Sequence, residues 1–202
     1  LAWELRGIPC LDPGDVRSPR KTILCSRTFA APTRRWEELR EAVASYTARA
    51  AERLRAQRSE AGVVRVAIRT GLFHPEEPFH SEAALVQLPV PSAHTPTLTA
   101  AAVQALRTLY RPGFAYVRAE VLLADLNDAR AHPLDLFTQE NESQRIRRIR
   151  LMQVMDRINA EYGRDTVYTA ICGNGVLRRL RQANRSPRYT TCWEEIPIAR
   201  AS

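Results

Sequence analysis

The residues able to do chemistry in this chain are few, and their spacing does not assemble a reaction centre. Asp125 and Asp128 close an alternating apolar segment, where two-metal ligands could sit. A phosphoryl-transfer centre would need more carboxylates converging on one pocket. Glu76-Glu77 and Glu194-Glu195 are adjacent carboxylates in polar surroundings without a metal-site context. Gly173-Asn174-Gly175 has neither the spacing nor the lysine of a phosphate-cradling loop. His74, His80, His94 and His132 are scattered over loop-like stretches and read as surface histidines. Cys10, Cys25, Cys172 and Cys192 share no close spacing, which argues against structural zinc and against a disulfide framework and fits a reducing cytoplasm. By its own residues the chain binds; it does not react.

Charge says what it binds. The formal net charge is +8, and Lys21 is the only lysine among 30 basic residues. Such an excess implies an acidic partner, most often nucleic acid, because each neutralised phosphate releases counterions. Membrane-surface binding would need a basic amphipathic helix with exposed Trp or Phe opposite, and none is evident. No apolar run approaches the roughly 18–20 residues that span a bilayer. Hydrophobic residues at 45% and charged residues at 26% fit a soluble globular protein of one or two small domains. With no initiator Met and no signal peptide at Leu1-Ala2-Trp3, the expectation is a piece of a longer protein.

The elements that must position these charges read as one α+β domain. Residues 1–20 form a linker, and Lys21–Phe29 is a β-forming run closed by Ala30-Ala31-Pro32. Trp36, Leu39, Val43, Tyr46, Ala50 and Leu54 recur at helical steps, with Gly62 expected to end that helix. Val63–Thr70 alternates, with Val64, Val66 and Ile68 inward. A third strand, about Glu82–Leu88, puts Ala84, Val86 and Leu88 inward, and a second helix covers about 96–110. The fourth strand, Phe114–Leu126, sends Val117, Ala119, Val121 and Leu123 inward and Tyr116, Arg118 and Glu120 outward. The order β-α-β-β-α-β places two helices on one face of a four-stranded sheet and leaves the other open. On that open face the sequence places Arg65, Arg69 and Arg118, with Ser26, Arg27 and Thr28 on the first strand. A basic, hydroxyl-bearing sheet without an aromatic pair suits phosphate contact more than base stacking. Simple solvation of an exposed face is the alternative.

Residues 127–143 read as a linker, and within it Leu136-Phe137 is unusual. Large apolar residues in a connector imply a receiving pocket, in the same chain or in a partner. Gln144–Tyr162 reads as a helix with Ile149, Met152, Met155 and Ile158 at helical spacing. Val167–Cys172 reads as a short strand or extended piece, Val176–Ala183 as a short basic helix, and Ser186–Trp193 as an ordered, irregular peptide. Between Glu142 and Thr190 eleven Arg face four acids, so this small, mainly helical tail nets +7. With so few apolar residues, it is expected to be flexible or to fold fully only against DNA or protein.

Several strings resemble the C-terminal part of the UmuC-type Y-family polymerases, the catalytic subunit of DNA polymerase V. They are ELRGIPCLD at 4–12, KTILCSRTF at 21–29, REAVASYTARAAERLR at 40–55, VAIRT at 66–70 and YRPGFAYVRAEVLLADL at 110–126. LMQVMDRINAEYGRDTVY at 151–168 and SPRYTTCWEEIP at 186–197 resemble the terminal region peculiar to UmuC-type proteins. The resemblance implies that 1–20 is a linker from the thumb, 21–126 a DNA-binding little finger, and 144–202 the UmuC-type tail. The catalytic carboxylates and their Mg2+ are then expected in a part upstream of Leu1, leaving no active site and no cofactor here. It implies primer–template DNA held mainly by its backbone, through Lys21, Ser26, Arg27, Thr28, Arg65, Arg69 and Arg118. Leu134-Asp135-Leu136-Phe137 falls where the family carries its sliding-clamp motif, with Pro133 in the place of the motif's Gln. That departure removes one hydrogen bond, worth about 0.5–1.5 kcal/mol, and keeps the apolar anchors.

Glu82, Gln87 and Glu120 also depart from the family and are expected to weaken the grip on DNA, unless Glu120 pairs with Arg118. Further partners implied are the β sliding clamp, the processed UmuD dimer and RecA, in SOS mutagenesis in the bacterial cytoplasm at the nucleoid. A second reading keeps the fold and drops DNA: a module that binds accessory proteins. An independent nuclease would need a carboxylate set that is not evident.

Overall fold

Alternation and helical spacing resolve into strands β1 (Ile23–Thr33), β2 (Ser59–Thr70), β3 (Ser81–Ser92) and β4 (Tyr116–Asp128), with helices α1 (Trp36–Ala56), α2 (Thr95–Leu109) and α3 (Glu142–Glu161). This computed structural model describes residues 5–7, 20–71, 78–129, 142–173 and 186–196. Leu134–Phe137, Val176–Ala183, Glu76-Glu77, His74, His132 and Cys10 lie outside the described residues. The strands form one antiparallel sheet in the order β1-β4-β2-β3. Helices α1 and α2 pack on one of its faces, giving the expected α+β, β-α-β-β-α-β arrangement.

The core lies between sheet and helices because each element buries the stripe its spacing dictates. Leu39, Val43, Tyr46, Ala50 and Leu54 of α1 and Leu98, Ala102, Ala105 and Leu109 of α2 meet Val64, Val66, Ile68, Val121 and Leu123 of the sheet. Each large aliphatic side chain buried this way stabilises the fold by about 1.5–3 kcal/mol. The Thr33 hydroxyl accepts the Arg35 backbone N–H and donates to the Glu38 carboxylate, which fixes the entry to α1. Pro96 opens α2, and the His94 ring lies 2.9 Å from the Thr97 hydroxyl.

Some boundaries differ from expectation, each for a local reason. Helix α1 stops at Ala56 rather than at Gly62, and the chain reverses through Gln57 and Arg58, the latter at φ +58. Gly62 lies inside β2, where the Asp125 carboxylate of β4 occupies the space a Cβ would need. Strands β1 and β3 run on through Pro32, Pro89 and Pro91, which the sheet tolerates because both are edge strands. Tyr116 is buried instead of outward. Arg69 pairs with Arg118 and Thr70 with Tyr116, so Val117 is an extra residue, and this bulge turns Tyr116 into the core. His80 is buried too, its ring 5.1 Å from Phe114 and 5.7 Å from Tyr116, so it is no surface histidine.

The described part of the tail docks on the domain. Met152 of α3 is buried, and Asp156 takes the Arg55 guanidinium through two bonds of 2.6 and 2.7 Å. The Asn159 amide clasps the backbone N–H and C=O of Val167, both at 2.9 Å. Val167–Cys172, expected as extended, ends in a 3-10 turn, Ala170–Cys172, packed on α1. Residues 186–196 form turns that include a 3-10 turn, Trp193–Glu195, tied by Arg188 to Glu195 at 2.8 Å.

Candidate nucleic-acid interface

Strand register turns the one-dimensional alternation into rows across the bare face of the sheet. The first row, from β3 to β1, reads Ser81, Arg69, Arg118, Thr28. The second reads Ala83, Ala67, Glu120, Ser26, and the third Leu85, Arg65, Leu122, Leu24. Beyond these lie Gln87, Val63 and Ala124. Along the edges Ser81, Ala83, Leu85, Gln87, Leu24 and Thr28 are all exposed, and no described helix packs over them. One end of the face is cationic and hydroxylated; the other sets Arg65 among apolar side chains, with Leu85 66% and Leu24 47% exposed.

Arg69 and Arg118 stand directly opposite each other, and like charges so placed repel. Arg118 is compensated: its guanidinium lies 2.7 Å from the Glu120 carboxylate and donates to the Ser26 hydroxyl at 3.1 Å. Arg69 has no ion pair among the described residues, and the Nε of each arginine is buried without a hydrogen-bond partner. A buried, unsatisfied guanidinium N–H carries a desolvation cost. The two side chains line a shallow depression of about 310 Å³ with Ser81, Arg65 and Glu120.

Two residues expected to matter on this face lie on the other side of the sheet. Arg27 pairs with Ala119 and shares the parity of Cys25 and Phe29, so it borders the helix layer. Glu82 pairs with Ile68, again on the helix side, where it bridges to Arg111 at 2.7 Å and lies 3.3 Å from His80. Of the other expected residues, Ser26, Thr28, Arg65, Arg69 and Arg118 share the open face, and Lys21 is exposed just ahead of β1. Cys25, Cys172 and Cys192 are free thiols, and burial pushes the Cys25 thiol above its ordinary range.

A family model described as the impB/mucB/samB family C-terminal domain matches residues 20–136, more than half of the chain. The chain belongs to the impB/mucB/samB family. The matched region contains the whole sheet, both helices packed on it and the open face just described. A second model, described as a domain of unknown function (DUF4113), matches residues 149–199. Among curated relatives, the protein UmuC of Salmonella typhimurium is 34% identical over 193 residues, covering 96% of this chain and 45% of the relative. The protein SamB of Salmonella typhimurium is 32% identical, covering 98% and 46%, and the protein MucB of Escherichia coli is 34% identical, covering 97% and 46%. The chain thus spans a little under half the length of the curated relatives it matches.

Within this member of the family, sequence reasoning missed Ser81, Leu85 and Leu24 as part of the open face. The signal was present. Once Ala84, Val86 and Leu88 are assigned inward, the residues between them must face out. What the alternation lacks is register, which alone sets Leu85 beside Arg65 and Ser81 beside Arg69.

Proposed function

We propose that this chain is the DNA-gripping C-terminal portion of an error-prone Y-family translesion polymerase, with the open sheet laid against the sugar-phosphate backbone of primer–template DNA. The observation that carries this reading is the Arg69–Arg118 pair, opposed across two strands on a face that no described helix covers. Arg65, Ser26, Thr28 and Ser81 extend the donor set in both directions, and Lys21 adds charge at the edge. In the third row Leu85, Leu122 and Leu24 flank Arg65, so apolar side chains suited to the ribose and groove wall lie beside a phosphate-binding cation. Membership in the family supports a polymerase parent, and nucleotidyl transfer, with its Mg2+, is assigned to other parts of that parent. Leu136 and Phe137 are proposed to anchor the protein on a sliding clamp, with Leu134, Asp135 and Pro133 flanking them. The processed UmuD dimer and RecA are proposed as protein partners of the parent.

The test is a salt titration of duplex affinity for Arg69→Ala/Arg118→Ala beside the unmodified chain. Removing one phosphate interaction lowers the log–log slope by about 0.9. A slope smaller by about two units is expected; an unchanged slope removes this face from the DNA site and leaves a protein-binding module in its place.

A further inference from the structure

Helix α3 carries a second concentration of charge, on the side of the molecule away from the open sheet. Its inner face is committed: Met152 is buried, Asp156 is held by Arg55, and Asn159 is bonded to Val167. At 100° per residue, Arg147, Arg150 and Arg157 project together on the opposite face, all exposed. Arg147 and Arg157 are ten residues apart, about 15 Å along the helix axis, a length over which a nucleic-acid strand presents several phosphates.

The charge pattern on this helix conflicts with its own stability. Arg147 and Arg150 are three apart, a spacing at which like charges repel. Neither has an acid at three or four residues in either direction, and neither has an ion-pair partner among the described residues. Some arginines are matched, Arg35 with Glu38, Arg111 with Glu82, Arg118 with Glu120 and Arg188 with Glu195; Arg147 and Arg150, like Arg65 and Arg69 on the open sheet face, have no ion pair among the described residues. Helix α1 has Glu37 and Glu38 in its first turn and Arg53 and Arg55 in its last, as its dipole favours. Helix α3 has no base in its last turn and gathers Arg145, Arg147, Arg148 and Arg150 in its first half, against the single Glu142. A local rule broken on an exposed face is the mark of a site shaped for something that is not yet bound.

We propose that the outward stripe Arg147–Arg150–Arg157 is a second polyanion site, taking the phosphate backbone of a single nucleic-acid strand. Val154, 51% exposed, lies within the stripe, with Ile146 (41%) and Leu151 (51%) at its margins, so its apolar members stand singly among arginines. Glu161 is its one acid and lies at the far end. This site does not depend on the sheet contacting DNA.

The probe is a fluorescent oligothymidylate, bound to the 202-residue chain over a range of salt. Arg147→Gln/Arg150→Gln/Arg157→Gln is expected to lower the log–log slope by about two units, at about 0.7 per phosphate on single strands. Its melting temperature is expected to hold or rise, since a repulsive pair is removed. Arg147→Lys/Arg150→Lys/Arg157→Lys keeps the charge and is expected to keep the slope, which separates charge from folding. Placing the Gln changes in the Arg69→Ala/Arg118→Ala background tests independence: the drop in slope on oligothymidylate should be the same there. An unchanged slope, or no binding by the unmodified chain at low salt, overturns the proposal. So does equally tight, stripe-dependent binding of polyglutamate, which would assign the stripe to an acidic protein.

Discussion

At the scale of residues, the open face is governed by how its charged side chains are paired. Glu120 neutralises Arg118, while Arg69 and Arg65 have no ion pair among the described residues, so the face holds two unpaired cations and one restrained by its neighbour. Glu120→Gln should release Arg118 toward phosphate and tighten duplex binding. A part-exposed pair of this kind is worth roughly 0.2–1 kcal/mol, so a few-fold gain in affinity is expected, read by fluorescence anisotropy at fixed salt. Weaker binding would mean that Glu120 positions Arg118 instead of restraining it. Alternation in the sequence was enough to bring Arg65, Arg69 and Arg118 to one face. It was also enough to exclude Arg27, whose two-residue steps to Cys25 and Phe29 point to the core side. His80 and Tyr116 were not legible, because their burial depends on the bulge at Val117, and pairing irregularities leave no mark in composition.

Among the elements, α1 links the two halves of the molecule: its inner stripe builds the core, and Arg55 and Arg49 receive the tail. Met152→Ala should cost about 2–5 kcal/mol of local packing, and Asp156→Asn about 1.5–3 kcal/mol through removal of the charge-assisted bonds. Both should appear as reduced amide-exchange protection in α3 while β2 and β4 keep theirs. Equal reduction in the sheet would show that tail and domain unfold as one unit. The 186–196 turn has its own switch. Bonds from the Arg188 backbone N–H and guanidinium hold the Glu195 carboxyl below its ordinary 4.5. A depressed carboxylate contributes order that is present above the ordinary value and is lost as pH falls through the lowered one. Trp193 emission should therefore report an acid transition below 4.5. Arg188→Gln should move it upward, and an unmoved transition would contradict that role for Arg188. Helical and strand periods were readable in β1–β4 and α1–α3, but not at Val167–Cys172, which was expected as extended and ends in a 3-10 turn. The docking of α3 was not, because it rests on an Arg55–Asp156 contact spanning 101 positions and on few apolar residues.

For the whole molecule, the two faces of the sheet have different tasks. One carries the core and, beyond it, the described part of the tail; the other is left uncovered by the described helices, with Arg69 and Arg118 at one end and Arg65 among apolar side chains at the other. The fold class and the succession of strands and helices were legible because each segment's period agreed with its place in the sheet. The graded character of the bare face was not, since it exists only once four strands are set in register. Primer–template DNA is proposed to lie on this face. A photoreactive benzoylphenylalanine in place of exposed Ala83, in the middle row, tests it directly, with the same group in place of exposed Arg107 on α2 as the opposite-face control. Strong crosslinking to duplex is predicted from position 83, reduced by high salt, and little from position 107. Crosslinking from 107 alone, or none from 83 under conditions where the chain binds duplex, would contradict the claim.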